Sequence, residues 1–97
     1  MLIQLKKFGT TLISRSLGQE AFSAFKPSLK NLADDEKLYI DFDGVNTFSP
    51  PWGDDFLTPI IENYNWEIYI KKTVNPSVVE TLSLLEEIHK YKFVFIE

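Results

Sequence analysis

The chain predicts an α/β fold: a single domain over residues 1–97 with a mixed or mostly parallel β-sheet covered by helices. Three observations carry this expectation. Short apolar runs with strand patterning alternate with longer runs at helical spacing, and that alternation implies crossover connections and a largely parallel sheet. The stretch Lys37–Leu57, KLYIDFDGVNTFSPPWGDDFL, reads as one strand–loop–helix unit, with a buried-strand pattern before Asp43-Gly44 and a helix start at Ser49-Pro50. Finally, 97 residues with 44% hydrophobic and 25% charged content are enough for one modest core.

Residues 2–8 read as a strand in which Ile3, Leu5 and Phe8 are apolar and Gln4 and Lys6 lie between them, with Gly9 as its end. Thr10 to Ser14 reads as a second short strand or an extended lead-in with Leu12 and Ile13 buried. Ser16-Leu17-Gly18-Gln19 fits a capping box, in which the serine hydroxyl takes the glutamine amide and the glutamine side chain reaches back. The helix that follows carries Leu17, Ala21, Phe22, Ala24, Phe25, Leu29 and Leu32 on one face, and Pro27 predicts a kink or a break in it.

The central strand is expected over Leu38–Phe42, followed by a loop. Ser49 is placed as the N-cap of the next helix, Pro50 at its first position, and Asp54 and Asp55 in its first or second turn, where the helix dipole favours anions. Phe56, Leu57, Ile60 and Ile61 form its inner stripe, Pro59 bends or loosens it, and 63–65 is a turn. Residues 66–70 alternate as a strand, Asn75 caps a third helix with Val78, Val79, Leu82, Leu85 and Ile88 inward, and 91–96 is a last strand or a tail.

Composition excludes several function classes. With a net charge of −4 and scattered basic residues, the chain lacks the basic face that a nucleic-acid backbone requires. It has no cysteine, so there is no disulfide frame and no zinc–thiolate site, which suits a reducing, cytoplasmic setting. No apolar run approaches the ~20 residues of a membrane span, and the N-terminus lacks the apolar stretch of a signal peptide. One histidine, His89, rules out a histidine metal cluster, and the four isolated glycines form no phosphate cradle. No metal and no cofactor are expected.

The residues that could carry chemistry cluster around the central unit. Asp41-Phe42-Asp43-Gly44 resembles the first motif of haloacid-dehalogenase-type phosphatases, which would make Asp41 the nucleophile and Asp43 the acid beside magnesium. The acidic motif that such enzymes place far downstream would here fall at once, in Gly53-Asp54-Asp55, and strand-terminal aspartates commonly shape loops instead. Arg15 either binds an acidic group of a partner or pairs with Asp43 or Asp55. Trp52, at a helix start beside a loop, is either an exposed anchor for a partner or folds back on the core. Ser49 and Thr47 are hydroxyls near a helix N-terminus that would accommodate a phosphate.

Asp41, Gly44 and Val45 after an apolar strand, with Asn75-Pro76-Ser77-Val78 opening a later helix, make Lys37–Leu57 similar to the central segment of STAS domains, the sulfate-transporter and anti-sigma-factor-antagonist fold. The chain resembles more closely a small bacterial STAS-like family of unknown function, through Gly9–Leu17 with Ser14-Arg15, Asp41–Val45, and Ser49-Pro50 to Asp54-Asp55-Phe56. The resemblance implies a non-enzymatic regulatory module that binds a protein partner, in the antagonist case an ATP-binding kinase-like regulator that phosphorylates a serine at the helix start. Aligned from Asp41, Gly44 and Val45, that serine falls at Pro51, so Ser49 or Thr47 substitutes or the module works without the switch. The expected partner surface comprises Arg15, Asp43, Ser49, Trp52, Asp54 and Asp55. The alternatives are a minimal Asp-dependent phosphatase and a homo-oligomeric structural module.

Overall fold

Six strands and three α-helices follow one another in the computed structural model, which describes residues 1–96. They are β1 (Leu2–Gln4), β2 (Thr11–Leu12), α1 (Arg15–Lys30), β3 (Leu38–Asp41), β4 (Thr47–Phe48), α2 (Pro50–Tyr64), β5 (Ile68–Lys71), α3 (Pro76–His89) and β6 (Val94–Ile96). The main sheet runs β1-β3-β5-β6 with every pair parallel, and β2 and β4 form a second, two-stranded parallel sheet. The α/β expectation therefore holds, and the sheet is parallel throughout rather than mixed.

Spatial order in the main sheet is sequence order, so each crossover steps the same way across it. Right-handed crossovers that all step one way place their helices on one face. Burial agrees. Leu38, Ile40, Ile68 and Ile70 are wholly buried, whereas their neighbours Tyr39, Asp41, Tyr69 and Lys71 are only half-buried. The registers Leu2–Tyr39–Tyr69–Val94 and Ile3–Ile40–Ile70–Phe95 are rows on opposite faces, because side chains alternate along each strand.

Several element boundaries differ from the sequence reading. The first strand stops at Gln4, and Leu5–Phe8 winds into a turn of 3-10 helix that buries Leu5 completely. β4 was expected as loop; it forms because the amides of Asn46 and Thr47 both donate to the Thr10 carbonyl, laying the chain beside β2. α1 begins two residues earlier than a cap at Ser16 requires: Ser14 is the N-cap, and its Oγ accepts from the Leu17 amide at 3.1 Å. Leu17 is consequently 53% exposed, and Gly18, Ala21, Phe25 and Leu29 form the buried stripe. Neither Pro27 nor Pro59 breaks its helix. α2 runs to Tyr64, where Asn65 adopts φ 57° as a left-handed cap. Asn75 caps α3 as expected, accepting from the Ser77 amide, but Val79 and Ile88 point outward and Thr81 inward.

Trp52 is in the core, 1% exposed. It stacks on Phe56 at 4.9 Å between ring centroids and meets Phe48 edge-on at 6.0 Å, with Phe8 at 6.1 Å. The helix that carries it also crosses α1 closely. A Cβ on Gly18 would stand 2.6 Å from the Trp52 carbonyl oxygen, and one on Gly53 2.7 Å from the Phe48 ring, so Gly18 permits backbone contact between the helices and Gly53 lets the Phe48 ring pack against α2, where a larger residue would intrude.

Candidate functional site

Two places gather polar side chains. The first is a seam where α1, α2 and α3 meet. α2 turns Asp54, Asp55, Thr58 and Glu62 toward its neighbours, and each finds a partner contributed by another element. The Arg15 guanidinium donates to Asp55 Oδ1 and lies 3.5 Å from Asp54 Oδ2, and Gln19 Nε2 donates to the other Asp55 oxygen at 2.8 Å. His89, at the last turn of α3, places Nε2 2.7 Å from Asp54 Oδ1 and Nδ1 3.9 Å from Glu62 Oε2. Its ring stacks on Tyr91 at 5.3 Å and 12° between planes, and the Tyr91 hydroxyl shares a 2.7 Å hydrogen bond with Thr58. Burial pushes the Tyr91 phenol up to about 12, the carboxylates of Asp54, Glu62 and Glu86 adding to the effect and the Thr58 bond opposing it.

In the seam, carboxylates alternate with Arg15 and His89. Arg15 is half-exposed, while Asp55 and Asp54 keep only 14% and 27% of their side-chain surface. Each carboxylate is thus met by a cationic or hydrogen-donating group of the same chain. The acidic pair joins the helices together through Arg15, Gln19 and His89.

The second place lies at the C-terminal ends of β3 and β5, where open parallel sheets put their loops. Residues 41–45, from the end of β3 into the β3–β4 loop, and residues 72–76, from the β5–α3 loop to the start of α3, wall a shallow depression of about 480 Å³. Sequence chemistry shapes both walls. Asp41 Oδ1 accepts from the Asp43 amide at 2.9 Å, a local aspartate turn. Gly44 takes φ 86° to bring the Val45 amide back to the Phe42 carbonyl. Asn75 Nδ2 donates to the carbonyls of Val45 and Asn46 at 2.9 and 3.1 Å, tying one loop to the other. On the rim, Asp43 is exposed and Val74 is 86% exposed.

The structure divides the expected partner surface. Arg15, Asp54 and Asp55 meet in the seam, Asp43 lines the strand-end depression, and none of Ser49, Trp52, Asp54 or Asp55 is on its walls. Trp52 as an exposed anchor is corrected by its burial among Phe8, Phe48 and Phe56. Ser49 occupies the N-cap position of α2, yet its hydroxyl donates to the Ile13 carbonyl at 2.9 Å rather than capping the helix. Thr47 is exposed. His89, Glu62, Gln19 and Tyr91 enter the seam without having been assigned a site role from sequence; their partners are 33 to 36 residues away or on another helix, and no local motif marks such pairs. No protein-family model matches the chain, and the searches of curated proteins and of solved structures also return no match.

Proposed function

We propose that the protein is a non-catalytic, STAS-like regulatory module of the bacterial cytoplasm that binds a protein partner through the strand-end surface of the β3–β4 and β5–α3 loops. The observation that carries this reading is Val74, an apolar side chain 86% exposed on the rim of the depression that also holds Asp43. An apolar contact beside a charge fits the division of labour at interfaces, where buried apolar area supplies affinity and rim charge sets encounter rate. The strand order adds support. A sheet without a reversal lacks the switch-point crevice in which doubly wound enzymes hold small ligands. The anchoring role that the sequence suggested for Trp52 passes in this reading to Val74.

Regulation by phosphate then falls to Thr47. It is exposed and follows the loop that bears Asp43, so a phosphate there adds negative charge beside the partner surface. Ser49 is half-buried and hydrogen-bonded to Ile13, and modifying it would require opening the start of α2.

The test is quantitative capture from the native cell with wild type, Val74→Asp, Asp43→Lys and, as a control on the outer side of α1, Lys26→Asp. A protein held by wild type and the control, lost with Val74→Asp and reduced with Asp43→Lys, is the expected result. If no protein distinguishes wild type from Val74→Asp while both remain folded, the reading fails. So too does magnesium-dependent phosphatase turnover that disappears in Asp41→Asn.

A further inference from the structure

Every hydrogen-bonding position of the Asn75 side chain is occupied, and its four bonds run to two different elements. Oδ1 accepts from the Ser77 amide and from the Ser77 hydroxyl, each at 2.9 Å. Nδ2 donates to the carbonyls of Val45 and Asn46 at 2.9 and 3.1 Å. These partners dictate which way the amide faces. A backbone N–H can only donate and a carbonyl can only accept, so exchanging oxygen and nitrogen would set donor against donor and acceptor against acceptor. One end of the side chain caps α3, and the other holds the β3–β4 loop.

The bonds beside it follow the same pattern. Among the described residues β4 has a strand, β2, on one side only. On the other side the Phe48 amide donates to Ser77 Oγ at 3.2 Å, and the Phe48 carbonyl accepts from Thr81 Oγ1 at 2.8 Å. Side chains one turn apart on α3 thus stand where a third strand would. Of this set, Asn75 is nearest the strand-end surface: it follows Val74 directly, and its acceptor Val45 comes two residues after Asp43.

We infer that Asn75 is the positioning residue of the strand-end surface: its amide makes the β3–β4 and β5–α3 loops one body, so that Asp43 and Val74 meet a partner in a fixed relation. This role rests on the partner surface proposed above and gives its two loops a shared frame. Loops that move independently present the competent arrangement for only a fraction of the time, and the apparent dissociation constant rises by the reciprocal of that fraction. Loops held in place before binding avoid that loss. The two functions of Asn75 can be separated. Serine and aspartate cap helices about as well as asparagine. Serine, however, ends one bond sooner and has one donor in place of two, and aspartate turns an acceptor toward the Val45 and Asn46 carbonyls. Asn75→Ser and Asn75→Asp therefore keep the cap and cut the tie, the first without adding charge.

The experiment is hydrogen exchange on the purified full chain, with chemical denaturation of the same variants. Affinity is then measured for the protein that wild type captures and Val74→Asp loses. In both variants the amides of residues 45–48 should exchange about tenfold faster than in wild type, while those of β5 and of α3 keep their rates, as local opening requires. Affinity should fall about tenfold although Asp43 and Val74 are intact, the loss expected when one tenth of the molecules present the competent arrangement. Asn75→Ala, which removes cap and tie together, should add the Ser77 amide to the fast set. Wild-type exchange of residues 45–48 in a folded Asn75→Ser overturns the inference. So does acceleration spread evenly over the sheet, the mark of a residue that only adds stability, and so does undiminished affinity once the loop is loosened. If capture yields no protein that Val74→Asp loses, the surface reading falls by itself, and the exchange of residues 45–48 still decides whether Asn75 holds the loops together.

Discussion

The backbone of Trp52 and the α-carbon of Gly18 touch: a Cβ built on Gly18 would lie 2.6 Å from the Trp52 carbonyl oxygen and 3.0 Å from its Cα. Both obstructing atoms are main chain, so no rotamer change relieves the contact. Gly18→Ala should therefore push α1 and α2 apart. The helix-propensity gain of ~1 kcal/mol is outweighed by overpacking of about 1–3 kcal/mol. The expected net effect is a loss of stability of up to about 2 kcal/mol, read as a lower denaturant midpoint with an unchanged slope. A stabilised mutant would mean that the helices do not cross so closely.

The start of α1 is open to a paired test. Ser14 Oγ accepts from the Leu17 amide, whereas Ser16 is exposed within the first turn. Ser14→Ala should cost ~1 kcal/mol and Ser16→Ala only a few tenths, since the latter removes no cap. Equal losses, or the reverse order, in chemical denaturation would place the helix start at Ser16 after all.

Tyr91 gives stability an alkaline limb. Burial raises its phenol to about 12 in the folded protein, while the unfolded chain releases the same proton near the ordinary value of 10.0. Between those values the unfolded state binds fewer protons than the folded one, so unfolding becomes more favourable as pH rises. The contribution is fully present below pH 10 and is lost progressively toward about 12. Tyr91→Phe should flatten this limb, although at neutral pH it forfeits the Thr58 bond at a cost of ~1 kcal/mol. Urea midpoints of both proteins across the range provide the comparison. Parallel decline in wild type and mutant would assign the limb to other groups, Tyr69 among them.

What the sequence revealed was whatever depends on short range. The apolar alternation of Leu38 and Ile40, the prolines at Pro50 and Pro76 and the Asn75 cap set strand and helix positions within a few residues, because these signals act locally. Phe8 misled. As an apolar residue after Ile3 and Leu5 it suggested continued strand, but Leu5 is buried by a 3-10 turn whose end the Gly9 amide ties to the Lys6 carbonyl. β4 was invisible for a similar reason, since two residues carry no periodicity and owe their conformation to the Thr10 carbonyl. At the site, Arg15 pairing with Asp55 was one of the alternatives that the charges allowed. The choice between anchor and core for Trp52 rested on which way one ring turned, and composition does not encode that. Val74 drew no notice because a lone valine in a loop acquires meaning only once its exposure is known.

The sheet's monotonic order also bears on how the molecule is made. β1, β3, β5 and β6 leave the ribosome in the order in which they stand side by side, so the structure can grow by accretion. Each strand–helix unit docks on the border left by the unit before it, and no strand need be threaded between two already paired. The nascent chain up to Lys71 has three strands in place, with Ile68 and Ile70 forming a fresh apolar margin until α3 and β6 emerge to cover it. A ribosome that stalls or terminates there releases a product whose newest strand is also its stickiest.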